Sequence, residues 1–122
     1  MSIQINKSLF LPQIEKYTSN KGYGRWMSNV NNLTEEVLNL AQDWFDWGDY
    51  LKTPHENVSQ IDYRVKLKLY VMDHISLEDK DKAWFIPSFL WIFLAERIIS
   101  YVIKLIIEHY WPDILQEMNY EI

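Results

Sequence analysis

A chain of 122 residues, 48% hydrophobic and 24% charged, fits one domain with a sizeable core and excludes disorder over most of its length. The absence of Cys excludes a disulfide framework, a thiolate metal site and a Cys nucleophile. A net charge of −5 argues against a nucleic-acid binder, whose domains are usually basic.

Only three Gly and four Pro are present, too few turn residues for an all-β sandwich of many hairpins, so helices are expected. Aromatic residues are abundant, at 16%, and serve either a bulky core or an interface. The N-terminal residues show no basic region followed by an apolar run, so a cytoplasmic setting is the default expectation. Charge is unevenly spread: residues 1–30 are basic, residues 31–60 carry six acids and only Lys52, and the last eighteen carry acids alone.

In chain order, a short helix is expected to open near Pro12, since Pro suits a first turn. Residues 18–25 read as a connector. Gly22-Tyr23-Gly24 has neither the strand before it nor the Lys-Ser/Thr after it that a phosphate loop needs. Leu33, Val37, Leu40, Ala41 and Trp44 recur at helical spacing and predict a helix over 34–47, capped by Asn32 or Thr34. Glu35 and Glu36 suit its positive end, and Gly48 stands where a left-handed C-terminal residue is wanted.

Residues 58–75 fit two patterns. Ile61, Tyr63, Val65, Leu67, Leu69 and Val71 alternate with polar residues, as in a strand. Val58, Ile61, Val65, Leu69 and Met72 equally form a helical stripe, with Tyr63, Leu67 and Tyr70 opposite. The helix is preferred, because only Ile3-Gln4-Ile5 offers a strand partner and an isolated pair is marginal.

Residues 87–110 predict the strongest helix, opened by Pro87 and closed at Trp111-Pro112 because Pro disfavours helix in the residue before it. Its apolar run invites a transmembrane reading. Glu96, Arg97, Ser100, Lys104 and Glu108, however, fall within an arc of roughly 120°, a polar stripe on the central helix of a bundle. Charges at mid-bilayer cost roughly 2.5–3.5 kcal/mol each, which about cancels the apolar gain, so a soluble bundle helix is expected. A final short helix is expected from Pro112 or Asp113 to Met118.

The expected fold is therefore all-α, a small single-domain helical bundle over 1–122. A minor two-stranded β element, residues 3–6 with 61–71, is the one β alternative.

Catalytic groups are sparse. His55, His74 and His109 are well separated and form no His-Glu-x-x-His or Glu-x-x-His pair, so no metal or cofactor is expected. His55-Glu56 is the one acid–base pair a small enzyme would use. The segment Asp43-Trp44-Phe45-Asp46-Trp47-Gly48-Asp49-Tyr50 is more distinctive. Glu35, Glu36, Asp43 and Asp46 lie within an arc of about 100°, and no Lys or Arg occurs between Glu35 and Tyr50 to neutralise them. Phe45 and Trp47 fall off the core stripe beside these acids, which leaves two readings. Either both aromatic residues are partly exposed, or both are buried by a helix with neighbours on two sides, the acids then being solvated and paired with Arg64, Lys66 and Lys68.

On the first of these, Asp43, Phe45, Asp46, Trp47, Asp49 and Tyr50 are the candidate surface for a basic protein partner, steered electrostatically. Small bacterial immunity proteins and antitoxins that block basic nuclease toxins are of this type. That analogy rests on size and charge alone. The expectation is a non-enzymatic, cytoplasmic binding domain, monomer or homodimer, that occludes a basic toxin domain. A structural or oligomeric component using the apolar 84–107 segment is the alternative.

Overall fold

A computed structural model describes residues 3–27, 30–48, 59–78 and 82–118. Four helices account for most of them: α1 (Lys7–Lys21), α2 (Val30–Asp46), α3 (Gln60–His74) and α4 (Ser88–Glu117). The all-α expectation holds. The β alternative does not, because residues 61–71 lie inside α3 and no strand forms among the described residues. Segment 3–6 finds other partners. The Gln42 side-chain amide accepts the Ile5 N–H at 2.7 Å and donates to the Ile3 carbonyl at 2.8 Å, and the Asn6 N–H donates to the Tyr110 hydroxyl at 2.9 Å. One glutamine amide on α2 thereby takes the place of a neighbouring strand.

The start of α1 lies earlier than Pro12. The Asn6 side chain accepts from the Ser8 N–H, a cap that fixes the first turn at Lys7. Pro12 then sits inside the helix, where it removes the hydrogen bond to the Ser8 carbonyl. Ser8 and Pro12 are both exposed, so water can satisfy that carbonyl. The helix ends at Gly22 in the left-handed conformation (φ 70°), its N–H returned to the Ser19 carbonyl.

In α2 the helix opens at Val30, so Asn32 and Thr34 are interior positions rather than caps. The Thr34 hydroxyl donates back to the Val30 carbonyl. Glu35 and Glu36 lie beyond the first turn, and the dipole argument for them lapses. Gly48, left-handed at φ 71°, closes the helix as expected, with its N–H on the Phe45 carbonyl. In α3 the Ser59 hydroxyl caps by accepting the Asp62 N–H.

The largest departure is α4, which runs through Pro112 to Glu117 in one piece, where the sequence predicts a break and a separate helix. Two anchors beyond the proline hold it. Ile114 is fully buried, and Met118 is buried with its sulfur 2.8 Å from the Tyr63 hydroxyl, which donates to it. Burying an Ile or Met side chain contributes about 1.5–3 kcal/mol each, comparable to the helical penalty of an interior proline, about 3 kcal/mol.

Both α2 and α4 pack on each other and on the two flanking helices, α1 on one side and α3 on the other. The core is the aromatic mass the composition anticipates. Tyr63 sits edge-on to Trp44 and Trp111, Phe45 edge-on to Tyr110, and Phe10 against both Tyr110 and His109. Around them Ile98, Ile99, Val102, Ile103, Ile106 and Ile107 fill α4's inner face.

Candidate functional site

The expected acidic-aromatic surface is only partly assembled. Asp43 and Asp46 face solvent, and Trp47 is 76% exposed beside them. Phe45 is a core residue, only 2% exposed and packed on Trp44 and Tyr110. Its sequence neighbours explain the error. Leu38, Ala41 and Phe45 form a second buried stripe beside Leu33, Val37 and Trp44, because α2 is covered on two sides. Asp49, Tyr50 and the pair His55-Glu56 lie outside the described residues.

Nor is the α2 acid run unopposed. Lys7 of α1 pairs with Glu35 at 3.0 Å, and Glu36 accepts the Ser76 N–H at 3.1 Å. Asp46 stands at the negative end of the α2 dipole, an unfavourable place for a carboxylate, and accepts the Gln42 amide at 2.9 Å. Asp43 carries no ion pair among the described residues. Arg64 and Lys68 are engaged elsewhere, with Glu108 at 2.8 Å and Glu96 at 2.6 Å on α4.

The more conspicuous surface is apolar. Trp84 is 92% exposed and Phe89 76% exposed, and Phe85, Ile92 and Phe93 are exposed with them. On α3, Ile61, Val65 and Leu69 form an exposed stripe at i, i+4, i+8, while Tyr63, Leu67 and Val71 on the other face are fully buried. Single exposed hydrophobic residues are ordinary, but here Val65 of α3 and Phe93 of α4 meet in the lining of one groove. The signal of the exposed α3 stripe in the sequence was the doubled apolar pattern of residues 58–75. One stripe of α3 fills the core and the other is surplus to it.

Between α1 and α3 the outward strip of α4 is left open, and that groove, of about 520 Å³, runs over it. Val65 and Phe93 continue the apolar face into this groove. Its floor is the polar stripe read from the sequence, Glu96, Arg97, Ser100 and Lys104. Tyr17 and Tyr101 stack on each other at 3.9 Å and 6° along one wall. Arg64, Lys68, Arg97 and Lys104 make the groove basic against the single carboxylate Glu96, in a chain that is acidic as a whole. Arg97 lies over the Phe93 ring at 6.0 Å.

Burial raises the Tyr17 phenol above the usual tyrosine range, helped by the Tyr23 hydroxyl and opposed by Arg97. A raised folded-state value means that the folded chain holds this proton more tightly than the unfolded one. Its contribution to stability is therefore complete below about pH 10 and is lost as pH climbs through the folded-state value. Arg97→Gln removes the opposing charge and moves the Tyr17 titration further upward, as followed by phenolate absorbance. An unchanged titration would place Arg97 away from the phenol.

His109 packs on Phe10 and Tyr110, and His74 stacks on Tyr70 with its Nδ1 2.7 Å from the Tyr70 carbonyl. Among the described residues no three His, Asp or Glu groups converge as a metal ion requires, and no helix is long and apolar enough to cross a membrane. Compared with known proteins, the chain matches no family model, no curated protein and no solved structure.

Proposed function

We propose that this chain is a non-enzymatic protein-association domain whose contact face is the apolar surface of α3 and the start of α4, continuing into the basic groove. The observation that carries the reading is the exposure of Trp84, Phe85, Phe89, Ile92 and Phe93 together with Ile61, Val65 and Leu69. Aromatic anchors of this kind dominate binding energy when desolvated. Arg97 and Lys104 on the groove floor, which carry no ion pair among the described residues while Arg64 and Lys68 are held by Glu108 and Glu96, select an acidic partner. The absence of Cys suits a cytoplasmic setting.

Site-specific photo-crosslinking in the native host tests this. A benzophenone side chain at Phe89 or Trp84 is expected to form a covalent protein adduct, and one at Ser19, exposed on the side of α1 away from the groove, is expected to form none. Equal yields at all three positions, or none at Phe89 and Trp84, would sink the reading.

A second reading, in which a basic partner is held at the end of α2, is favoured by Trp47 standing exposed beside Asp43 and Asp46. In its narrower form the basic partner is a toxin domain and this chain its inhibitor. Charge reversal at Asp43 and Asp46 should then weaken binding to that isolated domain by tenfold or more, roughly 1.4 kcal/mol. Unchanged affinity would remove the α2 end from the contact.

A further inference from the structure

The two surfaces just described are complementary to each other, and they lie on opposite sides of the molecule. Groove and acidic end are separated by the bundle itself. The open strip of α4 lies between α1 and α3, on the side of α4 turned away from α2. The exposed face of α2, with Asn32, Asn39, Asp43 and Asp46, is turned away from α4. On one side stand Arg97 and Lys104, both exposed and without an ion pair among the described residues, with Phe93 and Val65 beside them. Asp43 and Asp46, also exposed, stand with the uncovered Trp47 on the other side.

From this we infer that the occupant of the groove is the α2 end of a second copy of this chain, so that the protein assembles head to tail. The inference rests on the association reading above and names its partner. Trp47 of one copy seats against Phe93 and Val65 of the next, and its flanking carboxylates meet Arg97 and Lys104. A contact between two different patches on opposite sides of one molecule does not close into a two-fold dimer. It propagates as a ring or an open chain. Charge complementarity favours this occupant over a second groove, because two basic grooves facing each other repel. Trp47 adds the desolvated aromatic anchor that such interfaces use.

Sedimentation velocity of the full chain across a micromolar-to-millimolar range tests the inference. The wild-type sedimentation coefficient is expected to rise with concentration beyond that of a dimer, and the rise is expected to shrink in high salt. Asp43→Lys with Asp46→Lys should abolish the rise, and so should Arg97→Glu with Lys104→Glu. All four side chains are exposed, so circular dichroism should keep its wild-type shape and the melting temperature should move by no more than a few degrees, upward where Lys replaces Asp46 at the negative end of the α2 dipole. An equimolar mixture of the two charge-reversed variants should assemble again, because each variant's altered patch now matches the other's. A single chain carrying all four substitutions should also assemble.

Three results would overturn the inference. They are a monomer at every concentration, assembly indifferent to the Asp43 and Asp46 reversal, and two dissociated variants that do not reassemble on mixing. A monomer that nonetheless forms photo-adducts at Phe89 with a different protein refutes self-assembly and leaves the association reading standing. Loss of both the assembly and the adducts refutes the two together.

Discussion

Replacing Trp91 by Ala is expected to lower the free energy of unfolding by about 3–5 kcal/mol, while Trp91→Phe changes it by less than about 1.5 kcal/mol. Trp91 is 1% exposed and is the largest of the fully buried side chains. Truncation to Ala removes the whole ring from an interior packed at crystal density, and neighbours on a helix of this length collapse only partly into the space. The indole carries a second, opposing term. Its Nε1 is buried with no hydrogen-bond acceptor, and an unsatisfied buried donor is unfavourable by about 1–3 kcal/mol. Phe keeps much of the apolar contact and deletes that donor, so the lost volume and the relieved N–H offset each other.

Urea unfolding with an unchanged m-value measures both variants. Should Phe prove as damaging as Ala, the indole N–H has an acceptor in solution. The packing argument would then stand without the polar one. The site also bears on function. Trp91 lies on α4 between Phe89 and Phe93, so it fixes the stretch of backbone from which the exposed aromatic residues project.

How much of this was readable in advance follows from what each pattern encodes. Periodicity located α2 and α4 because their apolar residues recur on one face, and Gly48 marked the end of α2 because a left-handed residue is needed there. Periodicity also identified both stripes of α3 without saying which is inside, since a helix with two apolar faces gives no sequence cue to its orientation. Tyr63, Leu67 and Val71 prevail through what they meet: Tyr63 alone touches Trp44, Trp111 and Met118.

Phe45 was misplaced for a related reason. It lies off the main stripe of α2, and packing against other helices, Tyr110 of α4 among the contacts, makes that second stripe interior. Pairing across the bundle is equally invisible in a linear reading. The partner of Glu35 is 28 residues away, and the Gln42 amide binds backbone 37 and 39 residues away. The polar stripe of α4, by contrast, was legible residue by residue. What the sequence left open was whether neighbours would cover it, and the separation of α1 from α3 leaves it as the floor of a groove.

Pro112→Ala is expected to stabilise the fold by about 1–3 kcal/mol, an unusual sign for a substitution in a well-packed helix. Proline inside a helix removes one backbone hydrogen bond and presses its ring on the carbonyl four residues earlier, a penalty of about 3 kcal/mol relative to Ala. Here that carbonyl belongs to Glu108, which like Pro112 faces solvent, so no core contact depends on the ring. Alanine would restore the N–H at position 112 and let the last turns run without the defect. Gains from Ile114 and Met118 are retained, because both side chains are already seated.

The urea midpoint should rise with the m-value unchanged, and helical ellipticity should hold or increase slightly. The experiment separates two accounts of the C-terminus. If α4 is continuous through Glu117, removing the proline relieves a real penalty. If instead the helix stops at Trp111, as the residue pattern alone reads, there is no hydrogen bond to recover and the midpoint stays where it was. Were the midpoint to fall, the proline would be shaping the approach of Met118 to Tyr63, and the variant would lose the contact that ties the end of α4 to α3.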